Sequence, residues 1–350
     1  MFTGSGSITS GWSSSDIVRS AVPSSLKADL RLVASLRLWS DAPLAPFTTV
    51  GTGGKAGLLV TVSDQAALSK TLELVERAGV DWMCLGAGSN LLVADEGYPG
   101  VIIKLDESYH YVEGLEALSS SEADASTEES SSAGSVVLKV GGGAYLARLA
   151  AVVAEHGISG LEFACGIPGS VGGGVLMNAG AHERSMADVV EEIEVASSAG
   201  CGRLTSAQVQ WAYRSCRIPQ HAVVTEVRLA LRKDDATAVL ERHRALLRSR
   251  RVSQPRGVRT FGSVFKNPTG DAAGRLLEAA GLKGLRRGGA EVSTVHANFL
   301  VNLGDATTAD MLTLMGQMRE AVERSAGIIL EPEVKLLGTR FPWVPGPRGS

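Results

Sequence analysis

The chain has 350 residues, 44% of them hydrophobic, and a formal net charge of -3. That length and apolar content suffice for two or three packed units, and the near-neutral balance excludes a strongly basic nucleic-acid surface. No run approaches the roughly 18 apolar residues that span a bilayer, and the Ser-rich start lacks the apolar core of a signal peptide, so the expectation is a cytoplasmic protein.

Cys84, Cys165, Cys201 and Cys216 form no CxxC pair and have no companion His spacing, which predicts reduced thiols and no metal site. Between Asp106 and Ser135 stand eight acidic residues and no Lys or Arg, leaving the rest of the chain with a small positive excess suited to anionic ligands. The 41 glycines exceed what helix and strand interiors favour, so many belong in turns or where backbone approaches a ligand.

In chain order, residues 1–25 read as a disordered tail. The segment 57–62 (GLLVTV) predicts a strand, and Ser63 a cap for the helix that follows, which ends at Gly79. WMCL (82–85) and LLVA (91–94) predict short buried strands joined by the turn GAGSN. The acidic Ser-rich stretch within 106–135 reads as a solvated insertion between strands, because apolar sequence resumes on both sides. Further elements are a strand at 136–140, a helix at 144–156, and strands at 189–197 and 222–231. A boundary is placed near residue 233. Beyond it come a basic amphipathic helix, a helix at 272–281, a strand at 297–303, a helix over 311–324 and a last strand within 328–338, with a tail over 341–350.

Two glycine clusters carry candidate chemistry. GAGSN (86–90) can present backbone N–H groups to a pyrophosphate, although Leu91 and the strand after it exclude a Rossmann fingerprint. GIPGSVGGGVLMNAGA (166–181) has neither helical nor strand period, which suits backbone wrapped around a ligand, with Ser170 and Asn178 as side-chain donors.

These two segments, with the sequence around them, resemble the FAD-binding domain of UDP-N-acetylenolpyruvoylglucosamine reductases, a fold shared with vanillyl-alcohol-oxidase-like flavoproteins. Three later motifs resemble the reductases specifically: WAYRSCRI (211–218), RTFGSVFKNP (259–268) with AGRLLEAAGLKG after it, and ILEPEVKLLG (329–338). The short interval between the first two, without an extra tyrosine-bearing loop, resembles the compact second subclass. The likeness runs from about Phe47 to Gly338.

The resemblance implies an α+β fold: an FAD-binding domain (26–233) in two α/β subdomains and a C-terminal α/β substrate-binding domain (234–340). It implies noncovalent FAD against Gly86, Ala87, Gly88, Ser89 and Asn90, and against Gly166, Pro168, Gly169, Ser170, Gly172, Gly173, Asn178, Ala179 and Gly180. It implies NADPH as hydride donor, the enolpyruvyl ether of UDP-N-acetylglucosamine as substrate, and a monomer acting on small molecules without nucleic acid or membrane. Its catalytic Arg, Ser and Glu fall on Arg214, Ser263 and Glu333, with Lys266 and Asn267 placed for substrate phosphates. After NAGA the family usually has an aromatic residue and glycine, whereas this chain has His182, Glu183 and Arg184. Two rivals remain at this level: an oxidase of the same flavin fold, for which FGSVFKNP and EPEV have no use, and a nucleotide-sugar-binding regulator without catalysis.

Overall fold

The computed structural model describes residues 21–115 and 134–343. Most of both expected tails and of the acidic insertion therefore lies outside the described residues, but the margins are structured. Val22 is buried and helix α1 (Ser24–Arg31) buries Leu26 and Leu30, so folded chain begins inside the expected tail. Residues Glu107–Tyr109 form a 3-10 turn and Val112–Glu113 a strand, so the inserted stretch is shorter than 106–135. At the far end Phe341 stacks on Trp343, and Arg319 lies over the Trp343 ring.

The first unit is a sheet in the order Leu36–Pro43, Lys55–Val62, Tyr98–Leu105, Trp82–Cys84, antiparallel at the first pair and parallel thereafter. Alternation along the strands sorts the core. Leu58, Val60 and Val62 face Leu68, Leu72 and Val75 of helix α2 (Gln65–Arg77), while Leu59 and Ile102 face Leu85, Leu91 and Val93 on the other side. The cap of α2 is Asp64, whose carboxylate accepts from Ala67 N–H at 2.8 Å. Ser63, the expected cap, instead donates to Asp106.

The second unit is an antiparallel sheet in the order Gly200–Thr205, Val190–Ser197, Val223–Lys233, Ser135–Gly141, Val112–Glu113. Helix α3 (Leu146–Glu155) and the short helix α4 (Val171–Leu176) contribute to its core. Helix α5 (Ala236–Ser253) follows the expected boundary in sequence, yet it packs on α3 and on the turn Glu162–Ala164 and so belongs spatially to this unit.

The third unit joins helices α6 (Ala273–Ala279) and α7 (Thr308–Ala326) to a small sheet of Arg286–Arg287, Ala290–Val292 and Leu300–Asn302. Its core of Phe261, Phe265, Leu277, Met311, Met315 and Met318 also takes in Val50 and Leu92 from the first unit. The expected strand over 328–338 shortens to Lys335–Leu337, preceded by an isolated antiparallel bridge of Pro332 to Phe265. That strand pairs in parallel with Leu91–Val93.

The first unit also caps α7. Asp95 accepts from Thr308 N–H at 2.8 Å and Ala309 N–H at 2.9 Å, and the Thr308 hydroxyl donates to Val93 O at 2.6 Å. A carboxylate there satisfies donors the helix cannot satisfy itself and meets the positive end of its dipole. Replacing Asp95 with Ala should cost about 1 kcal/mol. The expected readout is a melting temperature lower by roughly 1–2 °C, with Asp95→Asn closer to the parent because it keeps an acceptor; identical melting of all three proteins would remove this bond pair from the interface.

Candidate active site

A cavity of about 2680 Å³ opens where the three units meet. Drug-sized ligands occupy roughly 300–1,000 Å³, so this one has room for two large ligands side by side.

One wall is GAGSN. Gly88 is in the left-handed region (φ +63°), and a Cβ there would stand 2.0 Å from Phe47 O. Among the described residues, the backbone N–H groups of residues 86–90 donate to no protein acceptor, which leaves a row of donors for an anion. Facing it is the second glycine loop, tied across by Ser89 Oγ donating to Pro168 O at 2.9 Å. Ser170 caps α4, its Oγ accepting from Gly173 N–H. Gly86, Ala87, Gly88, Ser89, Asn90, Gly166, Pro168, Gly169, Ser170, Gly172, Gly173, Ala179 and Gly180 all line the cavity. Two facing loops almost bare of side chains, with unpaired amides between them, fit a flat dinucleotide cofactor.

Asn178 departs from the expectation. It is absent from the cavity wall, 8% exposed, and both ends of its amide are used inside the protein: Nδ2 donates to Ala212 O and Oδ1 accepts from Ala187 N–H, each at 3.0 Å. His182 is also absent from that wall. With Glu183 it forms a left-handed two-residue turn between Gly180–Ala181 and Arg184–Ser185, and it lines a smaller cleft beside Glu162 and Arg242.

The three residues expected to be catalytic converge on the same cavity. Arg214 sits at the tip of a hairpin formed by Gln210–Ala212 and Ser215–Arg217, with φ +57°. Its guanidinium lies over the Tyr213 ring, and its Nε stands 3.0 Å from Glu333 Oε1, off line for a hydrogen bond to the carboxylate. Ser263 follows Gly262 (φ +85°) and bridges to Phe299. Its segment is laced to the glutamate's by Glu333 N–H donating to Val264 O at 2.9 Å and Lys266 N–H to Glu331 O at 2.8 Å. Asn90 then joins that segment to GAGSN: Nδ2 donates to Glu333 O, and Lys335 N–H donates to Asn90 O, both at 3.1 Å.

Burial holds the Glu333 carboxyl above the ordinary carboxylate range, against the opposing pull of Arg214, Lys266 and Lys335. Lys266 reaches the cavity and bonds the Glu331 carboxylate. Asn267 does not reach it: the residue is exposed and its Oδ1 accepts from Ala273 N–H at 3.0 Å, at the start of α6. That bond is the physical reason Asn267 is turned from the ligand.

Among the cavity cations that had not been singled out as site residues, three are partly withdrawn from water. Lys104 donates to Leu85 O at 3.3 Å and Gly86 O at 2.8 Å, beneath GAGSN and over the Phe47 ring. Arg250 comes from the last turn of α5 and lies against Gly166, and Lys335 follows Glu333 by two residues. Burial lowers the pKa of all three. Strand alternation from Glu333 points to Lys335, whereas Arg250 is hidden in an arginine cluster that reads as a solvated helix face.

Comparison with known proteins agrees with this geometry. Residues 56–203 match a family described as an FAD binding domain, and residues 254–337 match the C-terminal domain of UDP-N-acetylenolpyruvoylglucosamine reductase. The UDP-N-acetylenolpyruvoylglucosamine reductase 2 of Symbiobacterium thermophilum is 45% identical over 88% of this chain and 94% of its own length. The reductase of Myxococcus xanthus is 42% identical over 92% of this chain and 99% of its own. A crystal structure of UDP-N-acetylenolpyruvylglucosamine reductase from Thermus caldophilus superposes with a TM-score of 0.70 at 34% identity, covering 86% of this chain and 98% of that one. Likeness of that extent, over both glycine loops and over the segments bearing Arg214, Ser263 and Glu333, shows that the chain belongs to the UDP-N-acetylenolpyruvoylglucosamine reductase family.

Proposed function

We propose that this protein reduces the enolpyruvyl group of UDP-N-acetylglucosamine enolpyruvate to the lactyl ether of UDP-N-acetylmuramate, with NADPH as reductant and FAD as the bound carrier, in peptidoglycan precursor synthesis. The observation that carries the reading is the Arg214–Glu333 contact, half-buried in the same cavity as two glycine loops shaped for a dinucleotide. FAD, when bound, supplies the chemistry of passing a hydride from NADPH to the substrate's terminal vinyl carbon.

The protein's task is then to manage charge and a proton. Hydride addition at the vinyl terminus leaves negative charge on the neighbouring carbon and its carboxylate. Arg214 offers a planar fork of donors that holds a carboxylate in fixed orientation. Ser263 is the proton donor to the carbon bearing that charge, with Lys266 on the same strand segment to polarise the site. A Glu333 that retains its proton bonds the developing charge from the other side, which its raised pKa favours. Lys104, Arg250 and Lys335 add positive charge to a cavity that must accept phosphorylated ligands. NADPH and the sugar nucleotide occupy the cavity in turn, giving ping-pong kinetics.

In Ser263→Ala, NADPH should still bleach the flavin absorbance, while anaerobic recovery on adding the enolpyruvyl substrate slows by ~10²; full-speed recovery removes Ser263 from the reaction. A parent protein that consumes no NADPH with this substrate would make the chain a binding protein instead. The acid dependence has a definite sign. Because burial raises the Glu333 pKa, its proton persists above the ordinary carboxylate range and is lost as pH rises, so substrate-driven recovery should fall on that alkaline limb. Glu333→Gln should be slower at low pH and lack the limb, and a profile identical to the parent's would show that another group titrates.

A further inference from the structure

We infer that Asn178 is a positioning residue for Arg214, joining the second glycine loop to the hairpin that carries the guanidinium. Its neighbours Met177 and Ala179 line the cavity, but Asn178 turns behind that wall with φ +39° and is 8% exposed. From there Nδ2 donates to Ala212 O, at the foot of the Tyr213–Arg214 turn, and Oδ1 is anchored by Ala187 N–H.

The hairpin needs such an anchor. It has three residue pairs, Gln210 with Arg217, Trp211 with Cys216 and Ala212 with Ser215, and among the described residues it joins no larger sheet. Ribbons of that size hold little conformation alone. Arg214 also takes a left-handed backbone that an L side chain keeps only where its surroundings over-determine it. The far end of the ribbon is fixed by the Trp211 indole N–H, which donates to Ser206 O at 3.1 Å, and by the buried Cys216. Near the turn, Ser215–Arg217 packs against α4, and the Asn178 amide adds the hydrogen bond that ties Ala212 to the loop wall. The inference rests on the reading of Arg214 as the group that holds the substrate carboxylate, and it makes that group's position depend on the backbone of the flavin loop.

Asn178→Asp separates positioning from cofactor contact. The variant keeps the size, the tolerance for left-handed backbone and the acceptor for Ala187 N–H, but sets a carboxylate oxygen against Ala212 O. Asn178→Gly removes both bonds without backbone strain and serves as the second variant. In both, flavin content and the rate of bleaching by NADPH should match the parent, while recovery with saturating enolpyruvyl substrate should fall roughly 10- to 100-fold. Hydrogen exchange read by mass spectrometry should speed up in peptides covering 209–217 and stay parental in peptides covering 86–105. Loss of flavin with unchanged exchange would make Asn178 a cofactor ligand and overturn the inference, as would parental recovery together with parental exchange. If the parent protein itself is not reoxidised by the substrate, the functional reading fails, and the exchange data alone still decide whether Asn178 anchors the hairpin.

Discussion

The segment Glu331–Leu337 is the constraint from which the site follows. Along one stretch it exchanges backbone bonds with residues 264–266, and along the next it runs beside Leu91–Val93. Glu333 lies between these attachments, with Asn90 holding its carbonyl. A carboxyl fixed in this way is held largely out of water, which raises its pKa, and Arg214 meets it at a defined place. A half-buried contact whose Nε is off line for a hydrogen bond contributes little to stability. The contact is better understood as a device for orientation than as a source of stability.

Around that pair the cavity is electrostatically lopsided. Lys104, Lys266, Lys335, Arg214 and Arg250 are among the nine Lys and Arg residues that border it, against six carboxylates: Asp41, Glu76, Asp81, Glu96, Glu331 and Glu333. Burial disfavours the charge on the deeper lysines and on Arg250, and anionic ligands would restore it by supplying counter-charge in a medium where attraction is strong. Phosphate-bearing molecules therefore complete the charge pattern that folding leaves unbalanced.

Much of this was legible in the sequence because it is carried by short local signals. The glycine loops announce themselves by lacking any period, and Arg214, Ser263 and Glu333 stand in motifs that resemble those of the reductase family. The misreadings share a cause, which is that a polar side chain has two directions in which to spend its hydrogen bonds. Asn178 and Asn267 each sit in the right motif, but one braces a hairpin and the other the start of a helix, and neither choice shows in residue type. Ser63 and Asp64 compete for one cap, and the carboxylate wins because the hydroxyl is drawn to Asp106. Helix α5 has a basic face that reads as solvated, yet its inner side buries Val239 and His243 and delivers Arg250 to the cavity. Only tertiary placement decides such cases.

The parallel pairing of Lys335–Leu337 with Leu91–Val93 brings together stretches far apart in the sequence. During synthesis both glycine loops leave the ribosome long before that last strand does. The cavity then still lacks Ser263, Lys266 and Glu333, and Leu92 has no core to enter. Enclosure of the dinucleotide is thus a late event of maturation, completed when the last of the described strands docks against a much earlier one.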